Sequence, residues 1–129
     1  NALSCTLRIS NGRQTALLAG DIEQAQETLL VASGAPLRST LLLVPHHGSK
    51  TSSSAAFLDA VSPSLALVQS GYRNRFGHPA DPVLARYADR QIPVFDSPHC
   101  GAATWRSVDA QQVQCHRQTA LRYWHHRVP

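Results

Sequence analysis

The sequence predicts an α/β chain of the layered α+β type, in which helices flank a mixed β-sheet. Short apolar runs that suit buried strands alternate along the chain with stretches of helical periodicity. Asn11-Gly12 separates two strand-like runs and is a strong signal for an antiparallel hairpin. The expected order is therefore a β-hairpin, three helix–strand pairs and a second hairpin.

Length and composition suit a single domain. The chain has 129 residues, of which 43% are apolar and 16% charged. Its net charge of +4 and pI near 9.4 permit a polyanionic partner without requiring one. No apolar run approaches the roughly 18–20 residues that span a bilayer, so the chain is expected to be soluble. Because it starts at Asn1 and has no methionine, we expect residues 1–129 to be part of a longer protein.

The first elements are two strands and a helix. Alternating polar and apolar residues predict a half-buried strand over 4–10. The continuous apolar run over 15–19 suits an internal strand. A helix is predicted from 22 to 32, with Asp21 placed to cap its amino terminus, and it ends at the Ser-Gly-Ala-Pro segment 33–36.

The middle of the chain continues the strand–helix pattern. A third strand is predicted over 40–44, and a buried strand over 65–68. Between them lies a short helix over 55–61, with Ser52 or Ser53 as its N-cap.

A third helix and a final strand follow. The helix begins at Asp81-Pro82, because proline is tolerated in the first turn. The strand covers 92–95, and Pro93 favours an edge position or the start of a strand.

The last part of the chain predicts a β-hairpin and a tail. The hairpin strands are 102–107 and 112–116, and 108–129 forms the end of the hairpin and the tail. Residues 120–126 suit a short helix or an ordered extension. A Cys100–Cys115 bridge across the hairpin is possible, but with an odd number of cysteines buried free thiols are the commoner arrangement.

Polar features come directly after four of the predicted strands. They are Gly20-Asp21, His46-His47, the loop from Ser70 to His78, and Asp96. Ligand sites of α/β sheets lie at the carboxyl ends of the strands, so these features predict a common site.

Asp21 and the histidine pair each allow more than one interpretation. Asp21 suits a helix N-cap, and its carboxylate also suits a zinc, manganese or magnesium ion. His46 and His47 point in different directions as neighbours, so we expect only one of them to bind a given metal. A Ser/His hydrolase with Ser49 as nucleophile is conceivable, but the Gly-x-Ser-x-Gly motif of such enzymes is absent.

The loop before His78 suits an anionic ligand. Arg73, Asn74 and Arg75 offer the donors that bind phosphate oxygens, although a solvated loop could have the same composition. The histidines nearer the carboxyl terminus are expected to be ordinary surface residues.

An ordered set of motifs resembles a known family. The segments 17–22, 44–53 and 70–79 resemble, in order and spacing, the metallo-β-lactamase-like domain of the bacterial ComEC competence proteins, which are linked to DNA uptake. The resemblance covers roughly residues 3–107. It implies the carboxyl-terminal half of an αββα sandwich and, for the complete domain, hydrolysis of DNA phosphodiesters.

The resemblance also implies roles for individual residues. Asp21 matches a metal-bridging aspartate, His47 a metal ligand, and His46 its neighbour in the catalytic site. His78 matches a contact to the substrate phosphate. The other residues assigned to substrate binding are Ser49, Arg73, Asn74 and Arg75.

The implied cofactor is a divalent ion, Zn²⁺ or Mn²⁺. The His-x-His-x-Asp-His cluster of metallo-β-lactamase folds does not occur in this sequence. We therefore expect this chain alone to bind metal poorly and to be inactive.

The implied partners are DNA, the rest of the same polypeptide and, to cover an exposed half-sandwich, a second copy of the chain. The implied location is the bacterial inner membrane, with this domain on the non-cytoplasmic face. Two alternatives stay open: a non-catalytic DNA-binding or docking domain, and another hydrolase of the same fold.

Overall fold

A computed structural model, which describes residues 3–124 and 127–128, contains one five-stranded sheet and one separate hairpin. The sheet has the order β1-β2-β3-β4-β5. Its strands are β1 (Leu7–Ser10), β2 (Thr15–Leu18), β3 (Leu41–Leu43), β4 (Leu65–Val68) and β5 (Val94–Asp96). The β1–β2 pair is antiparallel and the other pairs are parallel. The predicted layered α+β fold with a mixed sheet is thus confirmed, as is the edge position of the strand that follows Pro93.

Three helices cover one face of the sheet and form the main core with it. They are α1 (Gln24–Ala32), α2 (Ala55–Val61) and α3 (Asp81–Ala88). Leu17 and Leu42 from the sheet pack there in one buried cluster with Phe57, Val83 and Tyr87 from the helices. No helix within the described ranges is long and apolar enough to span a bilayer.

The second face of the sheet is apolar but less completely covered. Ile9, Ala16, Leu41 and Leu65 are successive partners across β1 to β4, so their side chains share this face. The last three are buried, whereas Ile9 is 52% exposed. β1 is exposed along its whole length, so the prediction of a half-buried strand was wrong. Its alternating pattern marks an apolar face that the described residues leave open.

The carboxyl-terminal hairpin covers the other end of that face. It consists of β6 (Ala103–Trp105) and β7 (Val113–Cys115), and short helices precede and follow it: α4 (Ser97–Cys100) and α5 (His116–Thr119). Trp105 and Val113 pack against the small apolar cluster of the sheet. A disulfide joins Cys100 to Cys115, which settles the pairing that the sequence left open.

Three local predictions were wrong. α1 is capped by Glu23, whose N–H donates to Gln26 Oε1 at 3.1 Å, and not by Asp21. α2 is capped by the Ser54 hydroxyl, not by Ser52 or Ser53. His116 begins a helical turn instead of ending a strand. Of the two forms predicted for 120–126, a short helix or an ordered extension, 121–124 do not form the helix; 125 and 126 lie outside the described residues.

A buried polar network holds the hydroxyl-rich segment that joins β3 to α2. The fully buried Glu27 of α1 accepts hydrogen bonds from Ser53 N at 2.6 Å and from Ser54 N at 2.8 Å. The Ser53 hydroxyl lies 3.1 Å from the Tyr87 hydroxyl, and Arg86 donates to the carbonyl oxygen of Ser53. One carboxyl group thus satisfies two backbone donors where water is excluded. The network fixes the segment directly after the histidine pair.

Tyr87→Phe tests this network through pH. Burial raises the pKa of Tyr87 well above its usual value near 10. The hydrogen bond between the Tyr87 and Ser53 hydroxyls should stabilise the fold by about 1 kcal/mol near neutrality. That advantage is lost above about pH 10, because there the unfolded chain releases the tyrosine proton and the folded chain keeps it. The difference in the free energy of unfolding between wild type and Tyr87→Phe, measured by urea unfolding, should be smaller at pH 10.5 than at pH 8. A difference of constant size would contradict this expectation.

Candidate active site

The parallel strands bring the predicted site features to one edge of the sheet. β2, β3, β4 and β5 run in the same direction, so their carboxyl ends lie side by side. Asp21 follows β2, His46 and His47 follow β3, the loop 69–79 follows β4, and Asp96 ends β5. The sheet therefore brings the residues singled out in the sequence into one region.

A glycine turn fixes Asp21. Gly20 has φ +62°, and a Cβ atom there would lie 2.6 Å from Ser4 Oγ and 2.8 Å from the carbonyl oxygen of Cys5, so no other residue fits. The N–H of Asp21 donates to Ser4 Oγ at 2.8 Å. The carbonyl oxygen of Gly20 accepts from His46 N at 2.9 Å. The aspartate and the histidine pair are thus linked through the backbone.

The histidines lie in a strained turn, Pro45–Gly48. His46, His47 and Gly48 have φ values of +50°, +55° and +80°. A left-handed conformation is unfavourable for residues other than glycine, and such strain of order 1–3 kcal/mol per residue is characteristic of functional sites. A Cβ at Gly48 would lie 2.6 Å from Pro79 Cβ, so this turn packs closely on the end of the β4 loop.

His47 and Asp21 face each other. His47 Nε2 lies 3.5 Å from Asp21 Oδ1, and both side chains are about half exposed. His47 Nδ1 lies 2.7 Å from the carbonyl oxygen of Gln69. Because a carbonyl oxygen only accepts, Nδ1 carries the proton, and the Nε2 lone pair is directed away from Gln69. A backbone carbonyl on the second ring nitrogen is the usual orienting contact of a metal-binding histidine.

This pair fits part of a divalent-metal site. Two ligand atoms at about 2.0–2.1 Å from a tetrahedral ion lie about 3.4 Å apart, close to the separation seen here. No group of three or more potential ligands occurs in 3–124 or 127–128. At this point the described residues thus offer two candidate ligands, Asp21 and His47, and a closed site there needs further ligands.

His46 points away from that pair, as expected for adjacent residues. Its Nδ1 lies 3.5 Å from Glu23 Oε1, and its ring centroid lies 6.2 Å from that of His78, tilted by 60°. His46 therefore stands between the end of β2 and the β4 loop, where it can contact a ligand bound by either.

Asn74 holds His78 in place. The Asn74 amide donates to the carbonyl oxygens of Gly71 and His78 and accepts from His78 N at 3.0 Å. The His78–Pro79 peptide bond is cis. These hydrogen bonds to the loop backbone allow Asn74 to orient His78, and the predicted contact of Asn74 with substrate stays a prediction.

The pKa of His78 is lowered by its surroundings. Burial lowers its pKa below the usual value, and the neighbouring His46 and His47 lower it further. Its Nδ1 atom is buried and has no hydrogen-bond partner among the residues that the structure describes; the same holds for Ser70 Oγ. The lowered pKa favours the neutral imidazole, which can donate one hydrogen bond to a phosphate oxygen.

A cleft of about 510 Å³ opens beside the Asp21–His47 pair. Its lining residues are His47, Asn74, Phe76 and His78, with 69–71 and Ser97. This volume lies in the range of small-molecule and nucleotide-sized sites. The cleft therefore joins the metal-ligand candidate His47 to the phosphate-contact candidate His78.

The remaining residues predicted to bind substrate differ in how accessible they are to a ligand. Arg73 and Arg75 lie in the exposed part of the loop, with their guanidinium carbons 5.2 Å and 4.8 Å from the rings of Tyr72 and Phe76. Ser49 is only 8% exposed, and its hydroxyl lies 3.1 Å from that of Thr51. The two arginines are thus accessible to a ligand, and Ser49 is engaged in its own turn.

Three contributors were missed by sequence reasoning. Gln69 acts through its backbone carbonyl, Glu23 contacts His46, and Phe76 borders the cleft. Phe76 alone had a usable signal, since it is a large aromatic residue inside an otherwise polar loop.

A second aspartate–histidine pair lies at the end of β5. Asp96 caps α4, and both of its oxygens lie 2.7 Å from His99 Nδ1. The Asp96–His99 pair is hydrogen-bonded directly, unlike the Asp21–His47 pair. It therefore serves as a comparison for the Asp21–His47 pair in mutagenesis.

Curated proteins similar to the chain include competence proteins. It is 36% identical over 122 residues to competence protein ComA of Neisseria gonorrhoeae, which covers 91% of the chain and 18% of that protein. It is 33% identical over 129 residues to the uncharacterized protein YcaI of Escherichia coli, covering 98% of the chain and 17% of YcaI. It is 29% identical over 106 residues to ComE operon protein 3 of Bacillus subtilis, covering 82% of the chain and 14% of that protein. The chain thus spans less than a fifth of the length of these relatives, and no protein-family model matches it.

Proposed function

The chain belongs to the ComEC family of bacterial competence proteins, and we propose that it contributes half of a metal-dependent site for hydrolysis of DNA phosphodiesters during DNA uptake. The observation that carries the proposal is the Asp21–His47 pair. The two side chains converge at 3.5 Å while a backbone carbonyl orients the imidazole. The first test is DNA cleavage by the intact protein with Mn²⁺ or Zn²⁺, which EDTA should abolish.

The metal's contribution would be Lewis-acid polarisation of the scissile phosphate. Asp21 and His47 would hold the ion at the sheet edge. His78 donates a hydrogen bond to a phosphate oxygen from a position that Asn74 fixes. Arg73 and Arg75 supply positive charge at the exposed side of the cleft, where they attract the DNA backbone. His46 lies between these two groups and contacts the substrate.

One partner would supply both the remaining metal ligands and the cover for the open face of the sheet. The Asp21–His47 pair supplies two candidate ligands, and the open β1 end exposes Leu7 and Ile9 on an apolar face that is buried only in part. The relatives are five or more times longer than the chain, so the rest of the polypeptide is the partner that we assign to both. A second copy of the chain is the alternative cover.

The disulfide supports a non-cytoplasmic location. Cys100–Cys115 ties α4 to β7, and structural disulfides form mainly outside the cytoplasm. A domain on the outer side of the bacterial inner membrane, within a membrane protein that handles incoming DNA, accounts for both the bond and the basic charge.

A non-catalytic DNA-docking domain is the second candidate. The observation that favours it is the incomplete ligand set within the described part of the chain. DNA binding by the intact protein without cleavage in any divalent metal would favour this function. Cleavage of other ester substrates, with DNA left intact, would favour another hydrolase of the same fold.

His78→Ala separates substrate binding from metal binding. Because His78 contacts phosphate and not metal in this proposal, we expect turnover of DNA by the intact protein to fall about ten- to a hundredfold while the bound metal is retained. Metal content and cleavage rate should be measured on the same preparation. Loss of bound metal in this variant would instead make His78 a ligand.

A further inference from the structure

The β4 loop carries two exposed aromatic rings interleaved with two arginines. Tyr72 is 40% exposed and Phe76 is 67% exposed. The Arg73 and Arg75 guanidinium groups lie over these rings, at 5.2 Å and 4.8 Å from the ring centroids. Exposed rings beside cations are the combination by which proteins bind single-stranded nucleic acid: bases stack on the rings, and the cations follow the phosphates.

Phe76 is the ring that faces the candidate site. It is nearly parallel to His78, with centroids 5.8 Å apart and planes 21° apart, and both line the cleft with His47. A flat group that stacks on Phe76 therefore lies next to His78, the residue assigned to the phosphate contact. Phe76, His78 and His47 could therefore contact, in this order, the base of a nucleotide, its phosphate and the metal ion beside that phosphate.

We propose that Phe76 is a stacking platform for the nucleobase next to the bound phosphate, and that it makes this site selective for single-stranded DNA or frayed ends. The inference rests on the proposed function, since it takes DNA as the substrate. Bases inside a duplex are stacked on each other and cannot lie on an external ring without being unpaired, which costs a few kcal/mol. Single strands meet no such cost.

A nucleic acid fits this surface better than an apolar partner does. Arg75 lies over the Phe76 ring, and the imidazoles of His47 and His78 line the same cleft, so a hydrophobic protein surface would leave these polar groups without partners. An anionic chain with flat bases satisfies both the rings and the cations.

Binding in the absence of metal tests the inference. The intact protein in EDTA is titrated against a labelled twelve-nucleotide oligothymidine and an abasic oligonucleotide of the same length and charge, with fluorescence anisotropy as the readout. We expect the wild type to bind the oligothymidine about tenfold more tightly than the abasic strand. Phe76→Ala should remove that difference and leave abasic binding within about twofold. Phe76→Trp should retain it, and Leu29→Ala, which alters an equally exposed apolar residue on α1 (69%), should behave as wild type.

Two results would overturn the inference. One is equal binding of oligothymidine by the wild type and Phe76→Ala. The other is an equal loss for both oligonucleotides, which would mean that the substitution disturbs the loop as a whole. Because this assay contains no metal, a protein that shows the base preference but never cleaves DNA would refute the proposed hydrolysis and leave the stacking role intact. A protein that cleaves DNA without the base preference would do the reverse.

Discussion

Alanine at Asp21 or at His47 is expected to reduce metal-dependent DNA cleavage by the intact protein about a hundredfold or more. Each change removes one of the two ligand candidates that converge at the strand ends. Loss of a group that only orients a metal ligand lowers metal affinity or activity 10–100-fold, so loss of a ligand itself should lower them at least as much. Cleavage of single- and double-stranded DNA should be followed with Mn²⁺ and with Zn²⁺.

The matched control for the histidine is His99→Ala. His99 also lies beside an aspartate at the carboxyl end of a strand, but its ring is hydrogen-bonded to Asp96. Asp89→Ala, at the end of α3, is the control for the aspartate. Asp89→Ala should cleave at the wild-type rate, and His99→Ala, which alters a residue bordering the β4 loop, should lose far less activity than His47→Ala. Unchanged cleavage in both site variants would refute the roles assigned to Asp21 and His47.

Glu27→Ala is expected to lower the free energy of unfolding of the chain by about 3 kcal/mol. The carboxyl group accepts from the N–H groups of Ser53 and Ser54, and its loss leaves these donors without partners beside the core. An unsatisfied buried donor costs about 1–3 kcal/mol, and the cavity left by the side chain adds to this. Urea unfolding measures the change.

Two further variants identify the cause of that loss. Glu27→Gln keeps the volume and one acceptor oxygen, so its effect should lie between wild type and alanine. Asp59→Ala breaks an exposed ion pair with Arg90 and should have a far smaller effect than Glu27→Ala. If Glu27→Ala and Asp59→Ala are equally mild, the buried network does not stabilise the segment after the histidines.

The sequence predicted the sheet and the convergence of the candidate site residues at one of its edges, because strand periodicity and the order of elements are local properties. Apolar runs around Leu17, Leu42 and Ala66 became adjacent parallel strands, and the polar residues after them became neighbours. Asp21 was harder to interpret, since an aspartate before a helix normally caps it. The helix starts later, at Gln24, and Glu23 takes the cap with Gln26, which leaves Asp21 to face His47.

Other features of the site depend on contacts between distant segments. The left-handed conformations of His46 and His47 accompany the close packing of Gly48 on Pro79. Because Pro79 is distant in sequence, no local pattern predicts these conformations. The role of Glu27 arises from its position beside Ser53, 26 residues away. The exposure of β1 could not be predicted either, since an alternating pattern shows that one face is apolar but not what covers it. The metal, the DNA substrate and the roles of His78, Arg73 and Arg75 stay predictions.

Manganese binding by the intact protein tests the central claim most directly. Free Mn²⁺ is titrated by electron paramagnetic resonance with the wild type, His47→Ala and the His99→Ala control, and this chain alone is titrated in parallel. We expect tight binding by the wild type and the control, a loss of affinity of ten- to a hundredfold or more in His47→Ala, and weak binding by the isolated chain. Equal Mn²⁺ affinity of the intact wild type and His47→Ala would contradict the assignment of this strand end as half of a metal site.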